Sequence, residues 1–159
     1  MKNIYFTARN MKVLAADGSL DYDVKLRHYA YDVECIDIDT LAVTSGDSNS
    51  KCISIVDMKY NRVKKRIPLN SDSYEIAGTD RDLIYSRGRK GIQRLNLQDN
   101  SSSQIVPEEN TTYCYVARFG NKIYHTNHIT NSVTCYDLKG DKQWTFNNDT
   151  ILKYQTLSL

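Results

Sequence analysis

No stretch of this chain approaches the eighteen or so consecutive apolar residues of a membrane-spanning helix, and Met1-Lys2-Asn3 runs straight into an apolar segment, so no secretory leader is expected. The expected compartment is the cytoplasm, with no membrane partner. Cys-x-x-Cys pairs are missing: Cys35, Cys52, Cys114 and Cys135 stand 17, 62 and 21 positions apart, which leaves a zinc site unsupported. Reduced thiols at apolar strand positions act instead as small hydrophobes. Histidine is scarce, with His28, His125 and His128, and the chain has no phosphate loop, His-Glu-x-x-His or nucleophile elbow. No enzyme activity, cofactor or metal is therefore expected. A net charge of +2 is too small to imply nucleic acid by itself. Sustained 3.6-residue spacing is absent as well, which disfavours helical solenoids.

What is present is a repeat of about forty residues. A short apolar run ending in a hydroxyl residue recurs at Ile4-Tyr5-Phe6-Thr7, Leu41-Ala42-Val43-Thr44, Leu83-Ile84-Tyr85-Ser86 and Ile123-Tyr124-His125-Thr126, in steps of 37, 42 and 40. A second column places Asp57, Asn96 and Asp137 after apolar runs, and Val13-Leu14-Ala15-Ala16 holds the same place in the first copy, with Ala15 for the acid or amide. Cys35, Ala77 and Ala117 form a third column, six residues before Leu41, Leu83 and Ile123.

Within each copy, runs of four to six residues rich in Val, Ile, Tyr and Thr are separated by Gly, Asn, Asp and Ser clusters, the pattern of short strands joined by tight turns. The second copy predicts strands over 32–36, 40–44, 51–58 and 62–69. The fourth predicts them over 113–117, 122–126, 132–138 and 142–146. A repeated four-stranded antiparallel unit of this length is a blade of a β-propeller. The expected fold is thus all-β, a single propeller segment with a partial blade over 1–28, blades over 29–70, 71–110 and 111–150, and the first strand of a next or closing blade over 151–159.

Closure has two readings. Joined on paper to Met1, the C-terminus puts Leu157 six positions before Ile4, the spacing of the other copies, so the termini could pair and close a four-bladed ring. Alternatively the segment belongs to a larger propeller, such as one of six blades. The larger ring is preferred because natural four-bladed rings are at the low end of the range. An open segment would expose blade faces and invite self-association.

The run Gly120-Asn121-Lys122-Ile123-Tyr124-His125-Thr126-Asn127, followed by Asn131-Ser132-Val133-Thr134-Cys135-Tyr136-Asp137-Leu138-Lys139-Gly140, resembles the NHL repeat, with its Gly-Asn, two apolar strands and Asp-x-x-Gly. Leu41 to Gly46, Lys51 to Asp57 and Gln143 to Phe146 are similar to the divergent NHL-type propellers at the C-terminus of invertebrate tripartite-motif proteins. The resemblance implies a substrate-recognition module of a ubiquitin ligase, or a truncated relative. The RING, B-box and coiled-coil segments of such a ligase are not in this sequence. Trp144 follows Gln143 and precedes no Asp, so the Trp-Asp signature of WD40 blades is missing.

In a propeller the turns between second and third strands share one rim with the loops between blades, and rigidly carried loops are where binding resides. The expected partner-binding residues are Asp47, Asn49 and Lys51 in one turn, Arg87, Arg89 and Lys90 in the next, and Asn127, His128 and Asn131 in the last. A protein partner or ubiquitination substrate is the first expectation. RNA is the alternative, with Arg87, Arg89, Lys90, Lys64 and Arg66 as its contacts. RNA needs several cations on one face with stacking aromatics beside them. Arg62, Lys64 and Arg66 alternate along an outermost strand, where charge also blocks edge pairing. The paired acids Asp37 and Asp39, and Asp80 and Asp82, fall in turns whose amides Asp side chains satisfy.

Overall fold

In the computed structural model, residues 3–7, 9–46, 49–78, 81–107, 115–150 and 152 are described. Among the described residues fifteen strands form four antiparallel sheets, each in simple meander order, and there is no α-helix. The first sheet is β1 (Asn3–Thr7), β2 (Asn10–Leu14) and β3 (Leu20–Lys25). The second holds β4 (Val33–Asp37), β5 (Thr40–Thr44), β6 (Cys52–Asp57) and β7 (Arg62–Pro68). The third holds β8 (Ile76–Gly78), β9 (Asp82–Ser86), β10 (Ile92–Asn96) and β11 (Ser102–Val106). The fourth holds β12 (Val116–Phe119), β13 (Lys122–Asn127), β14 (Ser132–Asp137) and β15 (Lys142–Asn147). The chain divides into two compact units, Met1–Tyr74 and Glu75–Leu159, with two sheets each.

The recurring acid or amide builds the outer hairpin of each four-stranded sheet. Asp57 Oδ1 accepts from the Lys59 and Tyr60 amides at 3.0 Å. Asn96 Oδ1 takes the Gln98 amide at 2.8 Å, and Asp137 Oδ1 takes those of Lys139 and Asp141 at 2.9 and 3.0 Å. A side chain that mimics the turn's own carbonyl lets the chain reverse without orphaned amides. In the first sheet Asp17 does this for Ser19 at 3.0 Å, which is why Ala15 can stand in the usual place.

The hydroxyl column ties second strand to first. Thr44 N donates to Asp32 O while Asp32 N donates to Thr44 Oγ1, both at 3.0 Å, and Thr126 repeats the pair with Tyr115 at the same distances. Ser86 makes the backbone contact, with Glu75 O at 2.9 Å, and its hydroxyl accepts the Gly88 amide at 3.1 Å, where a short 3-10 turn (Gly88–Lys90) begins. Because Tyr115 spends its amide on Thr126 Oγ1, the first strand of the last sheet starts at Val116, later than the expected 113–117. Residues 113 and 114 of that expectation lie outside the described residues.

The first copy is out of the expected register by one residue. Val13 shares its column with Ile55, Arg94 and Cys135, which pair with Ala42, Ile84 and Tyr124. Val13 pairs with Ile4, so Ile4 takes that place and Asn3 takes the place of Leu41. Measured to Asn3, the spacing that favoured closure by the termini is one short of six, and Leu157 lies outside the described residues. The slip turns Ile4, Phe6, Met11 and Val13 onto one face, where they pack with Leu41, Val43 and Val56 as the core of the first unit. The second unit buries Ala77, Ile84, Ile92 and Val106 with Val116, Ile123 and Tyr136.

Each outer strand carries a bulge opposite the strand it pairs with. In β7 it falls at Lys64, since Ile55 pairs with Lys65 but Val56 with Val63. The extra residue ends the expected alternation of Arg62, Lys64 and Arg66. Arg66 now pairs with Ser54 and Arg62 with Asp57, on opposite faces of the sheet.

Candidate functional site

Within each unit the turn between second and third strands is stitched to the loop that follows the sheet. Gly46 and Ser73 exchange backbone hydrogen bonds at 2.7 and 3.3 Å, Leu69 N donates to Lys51 O at 2.8 Å, and Lys51 Nζ lies 3.8 Å from Asp72 Oδ1. In the second unit Asn148 N donates to Asn131 O at 3.0 Å, and Asn131 Nδ2 reaches Asp149 Oδ1 at 3.2 Å. These edges present Asn49, Lys51 and His128 to solvent, with Asn131 half-buried beside them. Asp47 lies outside the described residues.

Several expected contacts have other duties. Asn127 Oδ1 accepts from the Ile129 and Thr130 amides at 2.9 and 3.1 Å, so it shapes its turn. The basic spot is thinner than its sequence: Lys90 is exposed, Arg87 is half-buried with its Nε enclosed, and the Arg89 side chain is outside the described set. Lys64 is exposed at the bulge. Arg66 donates through Nε and Nη2 to the Leu26 carbonyl at 3.3 and 3.0 Å, locking the connector that follows β3. Arg94, which breaks an apolar column, does the same for the Leu138 carbonyl and sits 3.7 Å from Asp82 Oδ2. Arg118 holds the Gly78 carbonyl at 3.1 Å.

The Arg66 lock borders a groove of about 410 Å³ lined by Arg27, His28, Ser50, Cys52, Arg66 and Pro68, a grouping that sequence reasoning missed. His28 is 2% exposed, with Nδ1 2.8 Å from Tyr29 O and Nε2 2.7 Å from Ser54 Oγ. A carbonyl can only accept, so Nδ1 carries the proton and the neutral ring's Nε2 accepts from the serine hydroxyl. Burial, with Arg66 nearby, pushes the imidazole below its ordinary pKa despite the Tyr29 contact. Burial likewise raises the Cys52 thiol, against the lowering influence of Ser54, Arg66 and Ser45, which makes Cys52 a poor nucleophile. A larger cavity of about 650 Å³ opens at the other end of these strands, lined by Asp21, Asp37 and Asp39 among others. There Asp37 Oδ1 accepts the Asp39 amide at 2.9 Å, a turn contact. No group of three or more His, Cys, Asp or Glu side chains suited to a metal occurs among the described residues.

Repeated four-stranded antiparallel meanders of this kind define the β-propeller class. Among solved structures, a virginiamycin B lyase from Staphylococcus aureus matches with a TM-score of 0.72 at 12% identity, over 91% of this chain and 50% of its own. A streptogramin B lyase matches with a TM-score of 0.75 at 16% identity, over 95% of this chain and 52% of its own. The chain thus spans about half the length of these propellers, and the likeness is one of fold. No protein-family model matches the chain, and no curated protein matches it in sequence.

Proposed function

We propose that this chain is a protein-recognition propeller module of the NHL-repeat type, related to the substrate-binding end of tripartite-motif ubiquitin ligases and without catalytic residues of its own. The observation that carries the reading is the stitched edge. Loops of different sequence are fixed to the sheets by backbone bonds and present Asn49, Lys51 and His128 to solvent, with Asn131 half-buried beside them, on a rigid edge. The Asp-x-x-Gly turn at Asp137 to Gly140, with Gly140 N donating to Asp137 O at 3.0 Å, supports the NHL resemblance.

Proximity labelling in the source cells tests this. The chain carrying Asn49→Ala, Lys51→Ala and Asn131→Ala is compared with wild type and with Ile38→Ala, at the opposite end of β5. At least one protein should be labelled by wild type and Ile38→Ala and lost from the triple variant. Equal labelling by all three would sink the proposal. For the RNA alternative, filter binding of structured RNA at two salt concentrations should give weak, unsaturated binding; tight binding that falls steeply with salt would favour RNA instead. The solved neighbours are named as lyases, and incubation with virginiamycin B should leave that compound intact.

A further inference from the structure

The groove behind Arg66 has the chemistry of an anion site. Arg66 is anchored by two bonds to the Leu26 carbonyl, which fixes its guanidinium, and Nη1 has no hydrogen-bond partner among the described residues. Arg27 has φ +69, in the left-handed region that side chains other than glycine and asparagine seldom adopt. Its exposed guanidinium makes no hydrogen bond or ion pair with the described residues. None of the six lining residues is acidic, and His28, neutral in its bond to Ser54, adds no third charge to the wall. A further cation stands beside the connector: Arg9 lies over the Tyr29 ring at 5.7 Å, and its carbonyl accepts the Leu26 amide at 2.8 Å. Arg27 and Arg66 line one groove with no acidic residue in its lining, and an oxyanion held there would take charge-assisted hydrogen bonds from both.

We infer that this groove binds an oxyanion presented by an acidic side chain of a protein partner. The inference rests on the protein-recognition reading above and names the chemistry of the partner. A peptide fits better than a nucleic acid. The cavity suits a small ligand group, no Phe, Tyr or Trp ring lines it for base stacking, the His28 ring in its wall is buried, and Arg9 lies over one face of the adjacent Tyr29 ring.

The test is a fluorescence anisotropy titration of fluorescein-labelled hexaglutamate with the full chain, at about 50 mM and about 200 mM NaCl. Binding should saturate, weaken with salt, and yield to inorganic phosphate more readily than to chloride of equal ionic strength. Arg27→Ala should weaken it about fivefold. Arg27→Gly, which removes the cation while suiting the left-handed backbone, should do the same without lowering the melting temperature. Wild-type affinity in both variants would overturn the inference, as would failure of hexaglutamate to bind. An oligouridylate that displaces the peptide at lower concentration than unlabelled hexaglutamate would also overturn it, in favour of nucleic acid. If Arg27 variants bind normally while the Asn49, Lys51 and Asn131 variant still loses its labelled partner, the groove is wrong and the recognition reading stands. Loss of neither would remove both.

Discussion

At the scale of single residues, His28 and Thr126 show how polar groups hold these sheets. The His28 ring is buried and neutral, and its pKa lies below the ordinary 6.5 chiefly because burial disfavours the cation. In the unfolded chain the same ring takes up a proton as pH falls through about 6.5. The unfolded state then binds more protons than the native one, so stability is full above that pH and declines below it. Urea midpoints should therefore fall between about pH 7.5 and about pH 5.5, and His28→Gln, which cannot charge, should flatten the part of the slope due to this ring. An unchanged slope in the variant would show that His28 is not responsible. Thr126→Val keeps the shape but strips the acceptor from the Tyr115 amide, a loss of about 1 to 3 kcal/mol readable by the same denaturation. The hydroxyl column was visible in the sequence, although its purpose was not. A column reveals a requirement, and the partner eleven or twelve residues upstream carries no identity of its own, being Asp32, Glu75 or Tyr115.

Elements were legible to the extent that one local pattern decides them. Strands joined by Asx turns could be placed to within a few residues because alternation and turn chemistry agree. Register in the first copy could not be read, since Ile4-Tyr5-Phe6 is apolar at three successive positions and alternation does not choose a face. The bulge at Lys64 was hidden for a similar reason: in Arg62-Val63-Lys64-Lys65-Arg66 nothing local says which residue is extra. Yet that residue puts Arg66 on the face where it reaches Leu26, forty positions away, and so makes the groove. The hairpin glycines give a sharp element-level contrast. Gly140 closes the β14–β15 turn at φ +92, and a Cβ there would fall 1.8 Å from the Ile105 carbonyl oxygen. Gly18 turns β2 into β3 at φ +84 with nothing within 4 Å of such an atom. Gly18→Ala should cost about 1 kcal/mol of backbone strain. Gly140→Ala must displace main chain as well and should cost about 3 kcal/mol or more, or prevent folding. Equal effects in urea denaturation would contradict the close approach.

For the whole molecule, the forty-residue period was enough to give the propeller class, because each sheet has an apolar face that a like sheet covers. The same repetition exposes an imbalance. Phe146 pairs with Val133 as Val24 pairs with Met11 and Val106 with Ile92. Val24 and Val106 are each 2% exposed, sealed by the sheet that follows in their own unit, whereas Phe146 is 48% and its neighbour Trp144 47% exposed. Trp144 stands where Tyr22 does in the first sheet, and its ring lies 6.0 Å from that of Tyr124. Two exposed apolar rings, one of them at a position that the first and third sheets bury, form an adhesive patch on the isolated chain. Polar residues on a strand surface preserve the ladder while removing that adhesion. The double variant Trp144→Thr and Phe146→Thr should therefore elute later than wild type in size-exclusion chromatography at equal concentration, and scatter less light on warming, with unchanged far-ultraviolet circular dichroism. If wild type already elutes as a monomer and scatters no more than the variant, these rings do not drive association and the adhesive reading of the patch fails.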